Sequence, residues 1–229
     1  MPSLDSAYAQ VDRGAEHLTE LKLLHDEVCK IQAKSTVVQF KLQGTVPAGE
    51  TLEAGEVRYP QPPVGIRVRI IAGETANCFR SALDYMVAQL AILDSGARQE
   101  RTQFPIAHTP KHFKQARRRG LNGVNDPHVA AIEKLQPYNG RDWLKFLAIL
   151  SNFAKHDDLI LLKHGVLITT EKFPVDPTDP DPFKYRMRVD FQNVIQIAIN
   201  EGFALIPTPE ILKSEVAKTL DAFKPEFKV

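Results

Sequence analysis

An α+β fold, with a small helical bundle packed beside an antiparallel sheet, is predicted by three features of this sequence. Long stretches repeat apolar residues at three- and four-residue spacing, the mark of amphipathic helices. Shorter stretches alternate apolar with polar and are rich in β-branched residues, the mark of strands. The two kinds come in blocks without a regular βαβ alternation, which points away from a parallel sheet. The chain has 229 residues, of which 43% are hydrophobic, enough for a single domain over 1–229.

The elements follow in order. Tyr8, Val11, Ala15, Leu18, Leu21, Leu24, Val28 and Ile31 form one stripe on a long helix from about Leu4 to Ala33. "TVVQFKLQGTV" reads as a strand, and "PAGETLEAGEVRYPQPPVG" as a loop or loose hairpin. "GIRVRII" alternates, with Ile66, Val68 and Ile70 on one face and Arg67 and Arg69 on the other, and reads as a second strand. "AGETANCFRSALDYMVAQLAIL" is the clearest helix, opened by Gly73 or Thr75 and closed at Asp94-Ser-Gly96. "PKHFKQARRRG" is a short basic helix that stops at Gly120. "NDPHVAAIEKLQPY" starts with a cap and Pro127 and ends at Pro137. "RDWLKFLAILSNFAKH" is apolar along Trp143, Leu144, Leu147, Leu150 and Phe153. "DLILLKHGVLITTEKF", "KYRMRVDFQ" and "GFALIP" read as strands, with the Pro/Asp loop "PVDPTDPDPF" between the first two. An amphipathic helix closes the chain, with Thr208 as cap and Pro209 at its first position.

Charged residues make up 25% of the chain and the net charge is +1, so no global field favours nucleic acid or an anionic membrane. Cys29 and Cys78 stand far apart with no CxxC pattern, which fits buried free thiols in a reducing compartment. The N-terminus lacks a signal-peptide apolar core, and no apolar run reaches the ~18 residues of a membrane span. A cytoplasmic location and no membrane partner are expected. No cofactor and no metal are expected either.

Two polar clusters interrupt the helical core. Asn77, Arg80 and Asp84 share one face of their helix at three- and four-residue spacing. Asn152, Lys155 and His156 do the same on the last turn of theirs. Lys155 and His156 are explained by the carbonyl end of the helix dipole. Asn152 lies inside the apolar pattern, where an Asn needs a task for its amide. If the two helices meet, these residues form a cationic pocket with one carboxylate, able to hold a small anion. His108 and His112 are four residues apart, but Pro110 separates them and no third ligand follows, so they do not read as a metal site. "KQARRRG" reads as a solvated face rather than a nucleic-acid surface, because no aromatic residues interleave with its charges. Phe104-Pro105-Ile106 and Gln136-Pro137-Tyr138 read as packing turns.

"GETANCFRSALDYMVAQL", then "FPI", "LQPY" and "LSNFAKHDDL", together resemble a family of uncharacterised bacterial proteins with the pattern GE-x3-N-x-R-S-A-L-D-H. The resemblance covers Gly73 to Leu162, with a weaker echo around His17. The family's Arg-x4-His is distantly similar to the signature of HEPN-type ribonucleases, helical proteins whose Arg and His act on the phosphodiester and the 2′-hydroxyl. Tyr85 stands here where that pattern has His. Two readings follow. The favoured one is a non-catalytic binding or interaction module, able to form a homodimer, whose polar helix–helix network holds a small anionic ligand at Asn77, Asn152 and Lys155. The alternative is a HEPN-like phosphodiesterase with His156 as acid/base and Arg80, Lys155 and Asp84 beside it.

Overall fold

Helix α2 (Ile66–Ser95) organises the molecule. Its buried residues run from Val68 through Ile71, Thr75, Phe79, Leu83, Met86 and Leu90, and several of these exclude solvent completely. A helix buried over so wide an arc needs partners on several sides. They are α1 (Asp5–Ser35), α5 (Asp142–His156) and α6 (Pro209–Phe223). The computed structural model describes the backbone of residues 1–35, 37–45, 51–58, 65–156, 162–174, 185–199, 202–205 and 209–227, and the side chains of 1–27, 30, 65–152 and 210–227.

The stripe on α1 packs as its spacing requires. Leu4, Ala7, Val11, Leu18 and Leu21 are buried, with Tyr8 and Leu24 packed against the core; Val28 and Ile31 lie outside the residues described with side chains. Gly14 lets the two long helices approach closely, since a Cβ there would lie 2.5 Å from Cε1 of Phe79. On α6, Leu212, Val216, Leu220 and Phe223 point into the same core. On α5, Trp143, Leu144, Leu147 and Leu150 do likewise.

Between α2 and α5 run two shorter helices. Gly96 ends α2 in the left-handed region at φ 74° and donates its N–H to Ile92 O at 2.9 Å, a glycine-closed helix end. Helix α3 (Pro110–Gly120) begins at Thr109, whose hydroxyl accepts from His112 N at 3.2 Å. Helix α4 (Asp126–Lys134) begins at Asn125, whose side chain accepts from His128 N at 2.8 Å. Asp94 ties these ends together. It accepts from Asn125 N and Nδ2, each at 2.8 Å, and its Oδ2 lies 2.8 Å from His128 Nδ1.

Two expectations are corrected. Residues 66–70 are the first turn of α2, not a strand. Alternation over five residues fits either period. Burial decides: Val68, Ile71, Ala72 and Thr75 are buried at helical spacing, while Ile66 is 66% exposed. The larger correction concerns fold class. The described part of the molecule is helical, not α+β with a helical bundle packed beside an antiparallel sheet, and no residue described with its side chain lies in a strand. Among the residues described with side chains, the hydrophobic core is drawn from helices and the turns between them. The strands are described by their backbones alone. β1 (Val37–Thr45) pairs antiparallel with β2 (Thr51–Arg58). β4 (Tyr185–Ile199) pairs antiparallel with β3 (Leu162–Pro174) and β5 (Gly202–Leu205). Alternation points to β1, β3, β5 and the first half of β4, whereas residues 51–58 read from sequence as a loop or loose hairpin; alternation alone does not say what a sheet packs against. The Pro/Asp loop lies outside the described residues.

Candidate functional site

Arg80 and Asp84 act together on one peptide. An Nη2 proton of Arg80 goes to the carbonyl of Phe104, and Asp84 Oδ1 accepts the N–H of the same residue at 2.8 Å. The four-residue spacing on α2 brings both side chains to Phe104, with Arg80 Nη2 3.4 Å from Asp84 Oδ1. The far end of the FPI turn is held in the same way. Gln136, fully buried, accepts from Ala107 N at 2.8 Å and donates to Ile132 O at 3.1 Å. Motif residues that looked like separate packing turns are therefore one assembly: Arg80, Asp84 and Gln136 satisfy backbone groups that burial would otherwise leave without water.

Burial lowers the pKa of the Arg80 guanidinium from its ordinary value, and the neighbouring Asp84 carboxylate acts in the opposite direction. The arginine also borders a cavity of about 360 Å³ enclosed by α2, α3, α5 and the FPI turn. α3 contributes His112, Gln115, Ala116 and Arg119, at intervals of three, one and three residues along one helix face. α5 contributes Ala148, Ser151 and Asn152, and the loop before α3 contributes Gln103. Two guanidinium groups, an imidazole, three carboxamides and a hydroxyl thus converge, and no Asp or Glu is among the described lining residues.

Of the residues singled out by spacing, the structure brings Arg80 and Asn152 to this cavity. Asp84 sits behind Arg80 and serves Phe104. Asn77, one turn before Arg80, does not line the cavity; its Oδ1 is buried and meets no donor among the described residues. Lys155 and His156 belong to the last turn of α5, four residues after Ser151 and Asn152, but their side chains lie outside the described residues. Tyr85, at the HEPN histidine position, is 43% exposed and does not line the cavity. His112, Gln115 and Arg119 were not expected in a site. Their signal was present as a polar row at i, i+3 and i+7, on a helix that buries only Phe113 and Gly120.

A second polar cavity, of about 400 Å³, lies between α1 and α2. Its charges compensate each other: Arg13 pairs with Glu16 at 2.7 Å, Arg67 with Glu20 at 2.6 Å, and His17 Nδ1 is 3.7 Å from Glu74. Burial raises the pKa of the Cys78 thiol at its edge, with nearby Arg13 opposing. That keeps the thiol protonated and weakly nucleophilic at neutral pH. Cys29 lies outside the residues described with side chains.

Among the described residues, these features define a helical body with a self-compensated polar groove and a cavity lined by cationic and neutral polar groups. No family model, curated protein or solved structure matches the chain. Among the described residues, no helix is long and apolar enough to cross a membrane.

Proposed function

We propose that the protein is a non-catalytic binding module that holds a small anionic group, a phosphate or a carboxylate, in the cavity between α2, α3 and α5. One observation carries this reading: Arg80, Arg119 and His112 line the cavity and no carboxylate faces them among the described lining residues. Arg80 is largely withdrawn from water, held by the FPI turn and partly offset by Asp84 behind it, so what it contributes is a guanidinium already fixed in place that needs little reordering when a ligand arrives. Arg119 is exposed at the rim and offers a planar fork suited to two oxygens of one anion. Ser151, Asn152 and the two glutamines supply neutral hydrogen bonds around it.

The test is a titration with inorganic phosphate, followed by the ring resonances of His112. Saturable shifts are expected in the wild type. Arg119→Gln should weaken binding about tenfold, roughly 1.4 kcal/mol, without altering the thermal midpoint. Absence of shifts in the wild type, or equal affinity in the variant, would remove the reading.

A further inference from the structure

We propose that the cavity is one end of a longer surface, and that the anion it takes is a phosphate of single-stranded nucleic acid whose neighbouring phosphates lie along α3. This rests on the cavity being an anion site. Helix α3 carries Lys111, Lys114, Arg117, Arg118 and Arg119 within eleven residues and has no acid in its first turn. Among the described residues only Arg117 of these is ion-paired, to Asp126 at 2.6 Å. The C-terminal arginines suit the helix dipole; Lys111 and Lys114 do not, because they lie toward its positive end. Lys111 and Lys114, and Lys114 and Arg118, are also like-charged neighbours at i+3 and i+4, which weakens a helix. A row of cations set against local helix stability is expected where an external polyanion relieves it.

Geometry joins this row to the cavity. Lys111, Lys114 and Arg118 share one side of α3, rising about 4.5 and 6 Å between successive charges. Arg119, next in sequence to Arg118, lines the cavity itself. A cavity of about 360 Å³ admits a single splayed nucleotide and not a duplex, and Gln103, Gln115 and Asn152 present both donors and acceptors to a base edge. An anionic bilayer fits less well. The helix buries Phe113, and among the described residues the large exposed apolar ones, Met1, Leu23, Ile66, Tyr85 and Ile211, all lie outside α3, which therefore has nothing to insert among lipids. The net charge of +1 makes attraction local to this face, and therefore steeply dependent on salt.

The experiment is fluorescence anisotropy of a labelled single-stranded oligonucleotide of roughly 12 nucleotides, over a range of salt, with wild type and the triple variant Lys111→Gln/Lys114→Gln/Arg118→Gln. None of the three lines the cavity. Wild type should bind with an affinity that falls as salt rises. The triple variant should bind at least tenfold more weakly and lose about 2 from the salt slope, at about 0.7 per phosphate contact. Its circular dichroism and its His112 response to inorganic phosphate should match the wild type. Phosphate binding without oligonucleotide binding overturns this inference and leaves the anion site standing. So does equal oligonucleotide binding by the variant, or binding to phosphatidylserine vesicles in place of the oligonucleotide. Failure of both ligands removes the anion site and this inference together.

Discussion

Arg80 is a charged group with 9% of its side chain exposed, a position that is stable only with several partners. The Phe104 carbonyl and the Asp84 carboxylate supply them, and the second of these also closes the Phe104 N–H. Replacing the arginine strands two acceptors at once. Arg80→Met is expected to lose about 2–4 kcal/mol, read as a lower urea midpoint with unchanged m-value. Arg80→Lys should fall between, because it restores the charge without the planar fork. A variant as stable as wild type would mean that the FPI turn is held by something other than this pair.

At the scale of elements, α1 and α2 pack closely at Gly14. Glycine inside a helix ordinarily costs about 1 kcal/mol relative to alanine, so Gly14→Ala on propensity alone should stabilise. Its Cβ would meet the Phe79 ring at 2.5 and 2.8 Å, and Phe79 is fully buried with no room to yield. Overpacking should win, with a net loss of about 1–3 kcal/mol and a lower thermal midpoint. A rise in the midpoint would show that the two helices can separate freely. Such contacts explain why α2 begins at Ile66: its first turn buries Val68, while Arg67 reaches Glu20 of α1 at 2.8 Å.

Across the whole molecule, the two ends of the chain are fastened by Tyr8, whose hydroxyl donates to Asp221 at 2.6 Å and so links α1 to α6. Burial, and then the bond to Asp221, raise the pKa of the Tyr8 phenol well above its ordinary 10.0. The same causes act on Tyr138, which donates to Glu133 at 2.7 Å. A folded-state value above the unfolded one favours the protonated phenol in the native protein. This stabilisation is complete below pH 10.0 and is lost as pH climbs from there toward the raised native value. Thermal midpoints measured on the alkaline side should fall, and Tyr8→Phe should flatten the fall while lowering the neutral-pH midpoint slightly. An equally steep fall in Tyr8→Phe would move the alkaline transition to other groups.

The sequence by itself determined most helices, their caps and the residues that fill the core. Asn125, Gly96 and Gly120 mark ends by local chemistry, and the apolar rows on α1, α2, α5 and α6 follow a period that burial then uses. Five alternating residues at 66–70 were ambiguous, because so short a run satisfies both periods until a neighbouring helix covers one side. Fold class also needed tertiary contacts: strand segments are legible from alternation, but whether a sheet or another helix covers the core is not written in any one segment. Tertiary structure alone decided the site. Spacing grouped Asn77 with Arg80 and Asp84, yet only Arg80 reaches the cavity, and its companions there come from α3 and α5. Convergence of side chains from three helices depends on crossing geometry, which no local pattern along the chain encodes.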